Sequence, residues 1–496
     1  MKKKNILVDL KPALDGYAGI PQESRLLFSG LKHLDEGFSV DGLLQHGSGF
    51  LNSSHIDKTS PLNDKIIKDS KTVVSFCRNG VKTYIPGLPK SSQRYLALQE
   101  LRWRSLRNQS VKMGVFQTDL FDDFIWRHLF GKTLPITDKK LVTASRFRII
   151  SHSRKQFHQV GLSSFNRHIK PRYMQLETGD YDFLLAQTPF PARVSKRTKL
   201  VIRYHDAFPV LMPHTISDVS FHQASHYMAL KQNVKDGALF ACVSEATRAD
   251  LVKMFPEVER RSVTIPNLVS NDYHPRNSPK SRVRNIITNR ASDNEGYLPD
   301  GNDISFGNDE DSDDYLLMVS TLEPRKNHQL LISAWERLRS SDMPNLKLIL
   351  VGGQGWNFEP ILDLIRPWMR RKQLYHLTNV ATEELAVLYS HAAATICPSL
   401  AEGFDYSGIE AMRSGGLVIS SDIPVHREIY GDGSAYFTPY SVTEAVDTIS
   451  RVLAPDAQKE RTAILQMATG ISERYTAKNI TPQWLNFFSN PASINK

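Results

Sequence analysis

Short apolar runs recur along this chain, and each hands over, through a polar or glycine-bearing loop, to a segment with helical spacing. Residues 316–320 (LLMVS) lead to 328–338 (HQLLISAWERL). Residues 347–353 (KLILVGG) lead to 359–371 (EPILDLIRPWMRR). The helical pattern 382–392 (TEELAVLYSHA) then runs into 393–399 (AATICPS), with a further strand-like run at 417–423 (LVISSDI). A strand buried on both faces reads as a continuous apolar run, and a parallel partner needs a crossover helix. This alternation therefore leaves little room for anything but a doubly wound parallel α/β domain.

A similar but less regular pattern precedes it. Residues 5–10 (NILVDL) form a first strand ahead of a loop holding Gly16 and Gly19. Residues 182–187, 199–205 and 238–243 are further short apolar runs, and Ser244 is placed to cap a helix that runs to Phe255. At 496 residues the chain is too long for one core, so two domains are expected, over 1–271 and 315–475. Residues 476–496 are expected to return to the first domain. Between the domains, 272–314 turn basic and then acidic, with few large apolar side chains. Such a segment cannot offset its ordering entropy and reads as a flexible insertion.

The stretch from Arg94 to Lys112 mixes cations and aromatic residues at helical spacing. Trp103 in the core with its arginines solvated is the favoured reading. An amphipathic helix against a membrane or an anionic acceptor is the sharper one. The formal net charge of +10 suits phosphorylated substrates or an anionic membrane. No zinc-finger spacing or RNA-binding aromatic signature accompanies it, so no nucleic-acid partner is expected. The start stops being apolar at Asp9, and no run approaches the ~18 apolar residues of a membrane span. A cytoplasmic protein is expected, with peripheral contact to the inner face of the membrane as a further expectation. Cys77, Cys242 and Cys397 stand far apart, which argues against a disulfide framework or structural zinc.

Three motifs carry chemistry, each at the end of an apolar run, where α/β sheets bind ligands. The first runs from Pro398 to Gly416 and holds Glu402 and Glu410, eight positions apart. Its helix, starting near Tyr406 or Ser407, offers free N–H groups to a phosphate, and Gly408 would permit close backbone approach. The second is STLEPRKNHQ from Ser320, whose Arg325 and Lys326 could grip a pyrophosphate and stabilise a departing nucleotide diphosphate. The third is His205–Asp206, where a histidine could contact a donor sugar or carry a proton.

Together these motifs resemble retaining GT-B glycosyltransferases, the family of glycogen synthase-like enzymes and bacterial mannosyltransferases. The resemblance runs from about Ile6 to Trp484, through the glycine loop, H-D at 205–206, V-S-E-x-T-R at 243–248, P-N at 266–267, E-P-R-K-N at 323–327 and the paired glutamates. It implies an α/β GT-B fold: two facing Rossmann-like domains with the active site in the cleft, no cofactor and no metal. It implies that Lys326 and Arg325 hold the donor pyrophosphate, with Gly19 near it, and that Glu410 takes the ribose hydroxyls. Glu402 and His205 would meet the transferred sugar, and Phe404, Gly408, Ile409 and Gly352 would complete the donor site. The expected donor is a nucleotide-sugar, GDP-mannose or a related GDP-deoxyhexose, and the expected acceptor a glycan or lipid-linked glycan. A catalytically silent partner in polysaccharide assembly is the alternative. Two departures stand out: Thr321 replaces an arginine common in the family, and Pro21 follows the glycine loop.

Overall fold

The computed structural model describes residues 3–17, 19–34, 37–45, 61–76, 90–116, 118–150, 152–163, 171–291 and 314–491. Its first sheet has eight strands. Across it run Ser262–Thr264, Leu239–Cys242, Lys199–Tyr204, Phe183–Ala186, Lys4–Asp9, Phe38–Gln45, Phe147–Ile150 and Gly114–Phe116. Every neighbouring pair is parallel except the last, where Gly114–Phe116 runs antiparallel to Phe147–Ile150. The second sheet is wholly parallel, in the order Leu374–Leu377, Lys347–Val351, Tyr315–Val319, Ala394–Cys397, Val418–Ser421 and Ala435–Phe437.

Both sheets reverse their strand order near the middle. In the first, Lys4–Asp9 and Phe183–Ala186 lie side by side, and the chain moves outward from them in opposite directions. In the second, Tyr315–Val319 and Ala394–Cys397 do the same. Crossover helices leave on opposite faces at such a point and open a crevice at the carboxyl ends of the strands. The loops that follow these strands are those that carry Gly19, Arg325, Lys326 and Glu402.

The expected helices appear at Glu245–Met254, His328–Ser340, Glu359–Arg370, Thr382–His391 and Tyr406–Arg413. Ser244 caps the first of them, accepting from the Thr247 amide. Two expectations need correcting. Residues 281–291 are not a flexible insertion but a helix, Ser281–Ala291. Its spacing puts Val283, Ile286, Ile287 and Ala291 on one face, all buried, so a sparse set of apolar residues suffices when it is periodic. Residues 292–313 lie outside the described residues, as does Cys77. Trp103 is not in the core: it is 58% exposed on the helix Lys90–Leu106.

The chain crosses between the domains twice. After the second sheet it returns through Tyr475 into the helix Ala477–Ser489, which packs on the first domain. There Lys4 donates to the carbonyls of Phe488 and Ser489 at 2.9 Å, and Phe488 meets Phe183 edge-on. The two crossings touch, because the Val269 amide donates to the Tyr475 carbonyl at 2.9 Å.

Candidate active site

The motif Glu323–Asn327 leaves the strand Tyr315–Val319 and makes one 3-10 turn, Pro324–Lys326. Asn327 then adopts a left-handed conformation (φ 61°) at the start of the next helix, and asparagine is one of the few residues that tolerate it well. This turn aims Arg325 and Lys326 at the loop that follows Ala394–Cys397. Arg325 Nη1 donates to Glu402 Oε2 at 2.8 Å and to the Ala401 carbonyl at 2.6 Å. Lys326 Nζ donates to Glu402 Oε1 at 2.6 Å. Burial pushes the Glu402 carboxyl up, but the two cations outweigh it and hold the group below its usual range.

The opposite wall comes from the first domain. Burial and then Arg203 push the His205 imidazole well below its ordinary value, so it is neutral. Its Nε2 has no hydrogen-bond partner among the described residues. Asp206 follows it, half-buried, and the Arg325 guanidinium lies 4.6 Å from the centre of the Phe208 ring. Gly403 lets the two walls meet: a Cβ there would sit 1.8 Å from the His205 carbonyl oxygen. Gly403 also accepts from Ser244 Oγ at 2.7 Å. The His205 backbone thus meets the Glu402–Gly403 loop that Arg325 and Lys326 also hold.

Glu410 lies apart from that cluster in its contacts. Its Oε1 accepts from Gln22 Nε2 at 2.7 Å, across the domain boundary, and its Oε2 accepts from Tyr389 Oη at 3.1 Å. Tyr273 is a third hydrogen-bond partner. Burial drives the carboxyl up and these three donors only partly offset it, so its pKa is raised to about 7. In this conformation a ribose would meet Glu410 only by displacing one of these groups.

The remaining expected donor-site residues divide. Gly19 has φ 67° and precedes the helix Ile20–Lys32, with open space beside its Cα. Pro21 falls in the first turn of that helix, where an amide would have no intrahelical acceptor, so it costs nothing there. Gly352 follows Lys347–Val351, and a Cβ on it would collide with the Ser320 carbonyl. Gly408 carries the Tyr430 ring against its Cα, so its missing side chain serves packing instead of close approach by a ligand. Ile409 is fully buried in the core, and Phe404 packs edge-on against Tyr406 and Tyr475. Thr321, in place of the expected arginine, donates to Glu323 at 3.0 Å.

Several residues escaped the motif reading. Asp405 caps the helix Tyr406–Arg413, accepting from the Ser407 amide at 3.1 Å, and lies 3.3 Å from His426 Nε2. Burial pushes Asp405 up, yet His426 and Lys326 hold it well below the carboxylate range. Beneath the cleft, fully buried Arg203 pairs with Glu23 at 3.0 Å and donates to Asn267 Oδ1 at 2.6 Å. It also lies 5.3 Å from the centre of a Trp484 ring. Glu23 in turn accepts from Tyr406 Oη at 2.8 Å, across the boundary. A signal was available: an arginine inside the apolar run KLVIRY must find an acid if it is buried. Gln22 and Glu23 carry no comparable mark.

Among the described residues, no group of three or more His, Cys, Asp or Glu side chains is placed to hold a metal ion. None of their helices is long and apolar enough to cross a membrane.

Comparison with known proteins bears on this arrangement. Residues 302–467 match the family model described as "Glycosyl transferases group 1". O-antigen chain mannosyltransferase B of Escherichia coli is 25% identical over 326 residues, covering 65% of this chain and 78% of that protein. Serotype-specific mannosyltransferase WbdA of Escherichia coli is 33% identical over 169 residues, 33% of this chain but only 20% of that protein. Among solved structures, a sucrose-phosphate synthase from Thermosynechococcus elongatus superposes with a TM-score of 0.59 at 14% identity, covering 99% of this chain and all (100%) of that one. Anabaena Alr3699/HepE, solved in complex with UDP, gives 0.53 at 15% identity, covering 98% and 100%. The chain has the GT-B fold and is a glycosyltransferase.

Proposed function

We propose that this protein moves a mannosyl or related deoxyhexosyl residue from a GDP-sugar to a lipid-linked surface-polysaccharide glycan, with retention at the anomeric carbon. The observation that carries this reading is the cluster of Arg325, Lys326 and Glu402 at the switch point of the second sheet, with the His205–Asp206 segment of the first domain against its loop. Charge builds on the diphosphate as the glycosidic bond breaks, and two fixed cations stabilise it there. Glu402 holds both cations in place before the donor arrives, so less reorganisation is left for the reaction. His205, uncharged and with Nε2 unpaired, can exchange one hydrogen bond with a sugar hydroxyl without bringing a positive charge against a developing oxocarbenium ion. We assign no carboxylate as a covalent nucleophile, which leaves attack from the face the diphosphate leaves as the route to retention. The mannosyl assignment draws on the printed names of the relatives.

Thermal shift and donor hydrolysis across a panel of nucleotide-sugars test this reading. A ligand at 100 times its Kd stabilises the folded state by about 2.7 kcal/mol, which is easily seen. GDP-mannose should stabilise and be hydrolysed, in excess chelator as in its absence, and the product anomer should match the donor. Stabilisation by UDP-sugars alone would overturn the donor, and an inverted product would overturn the stereochemistry.

A further inference from the structure

The helix Lys90–Leu106 has two apolar faces, and among the described residues only one has a partner. Ala97 and Leu101 are buried, at 4% and 0% exposure. Tyr95, Leu96, Trp103 and Leu106 are 60%, 49%, 58% and 65% exposed. At 3.6 residues per turn these four positions fall within an arc of about 100° on the side away from Ala97 and Leu101. Single exposed apolar residues are ordinary, but four large ones on one helix face are not.

The border of this face is basic. Between Lys90 and Lys112 the sequence has six cations and one acid, Glu100. Arg107 stacks on the exposed Trp103, with its guanidinium carbon 4.3 Å from the ring centre. Arg104 pairs with Glu100 at 2.9 Å, leaving little free negative charge on the helix. Indole and phenol rings with Leu between them, rimmed by arginines, match the zone where acyl chains give way to anionic headgroups. A partner protein would need a shaped, complementary surface, whereas a bilayer needs only this apolar stripe and its charge.

The location also fits. Glu100 lies 4.0 Å from His152, just past the carboxyl end of the strand Phe147–Ile150. That is the edge of the first sheet on which Gly19 and His205 stand. We propose that Tyr95, Leu96, Trp103 and Leu106, with Arg107 beside them, form a surface that docks on an anionic lipid bilayer and brings the cleft to it. This deepens the lipid-linked acceptor reading above and rests on it for its purpose. Its test needs neither donor nor acceptor, so the two can fail separately.

The full-length protein would be sedimented with vesicles of phosphatidylcholine, alone or mixed with phosphatidylglycerol. Binding to the mixed vesicles, weak on phosphatidylcholine alone and reduced by salt, is expected. Trp103→Ala with Leu106→Ala should lower the partition coefficient roughly tenfold or more. Arg107→Gln should lower it about fivefold. Met467→Ala, which removes a 46% exposed side chain from another helix, should leave it unchanged. All these positions are exposed, so the melting temperature should not move. A wild-type protein that ignores phosphatidylglycerol, or a double variant that binds like wild type, overturns the proposal. So does a double variant whose only change is loss of self-association in sedimentation velocity, which would make the stripe an interface between copies.

Discussion

Glu402 and Glu410 share one motif and near-complete burial, at 8% and 3% exposure, yet they are held in opposite states. Glu402 faces two cations from its own domain and is kept ionised. Glu410 faces three neutral donors, one of them from the other domain, and its pKa rises to about 7. Desolvation is the largest influence on both. What differs is the formal charge of the partner, and hydrogen bonds from neutral groups do not replace it. One carboxylate therefore organises charge for the leaving group, while the other can switch its charge near neutral pH.

The hardest blow to this contrast is Glu402→Ala. It leaves Lys326 without the acid it donates to and Arg325 with Glu323 at 3.6 Å, and breaking a buried pair this way costs about 3–5 kcal/mol. The denaturation midpoint should fall accordingly, and turnover should collapse with it. An alanine variant as stable as wild type would show that the cations need no partner.

Next in size is the pH response of Glu410. Its folded pKa of about 7 lies above the ~4.3 of an exposed glutamate, so between these values the folded state binds more protons than the unfolded one. The stabilisation is complete below ~4.3 and is lost as pH rises through about 7, a change of order 3–4 kcal/mol. Glu410→Gln should remove this loss, so that wild type minus variant stability declines across that window. A flat difference would mean that Glu410 is ionised throughout. If a ribose needs the carboxylate, donor affinity in the wild type should rise over the same window.

Gln22→Ala should cost about 1–2 kcal/mol by removing a buried donor. It should also shift the Glu410 midpoint further upward, which an amide acting only through packing would not do. The smallest effect is expected from Tyr389→Phe, about 1 kcal/mol, since that hydrogen bond is longer, at 3.1 Å, and another tyrosine remains.

Local chemistry was readable in the sequence wherever neighbours along the chain decide the outcome. The runs LLMVS and KLILV became Tyr315–Val319 and Lys347–Val351, and Ser244 capped its helix as its residue type suggests. The cluster of Arg325, Lys326 and Glu402 was partly readable, because each lies in a loop after a strand of the same sheet. Gln22 with Glu410 was not. Those residues are 388 positions apart and meet only once two domains pack. Gly408 was misread for a related reason, since nothing local announces that the Tyr430 ring covers it. Trp103 shows the reverse error: helical spacing reveals an apolar face but not whether the protein or something outside it supplies the cover.

The paired crossings at Val269 and Tyr475 have a mechanical consequence. A single tether would let one domain twist, slide or tilt against the other. Two tethers fastened side by side suppress twist and slide and leave tilting about their common line as the softest motion. Points close to that axis travel little as the cleft opens, while points on the far rim sweep a wide arc. Phe404, in contact with Tyr475, stands near the axis. The Ser217–Asn357 and His222–Trp356 contacts also join the two domains. Contacts far from the axis part first, and the width of the entrance is set there by a few degrees of tilt.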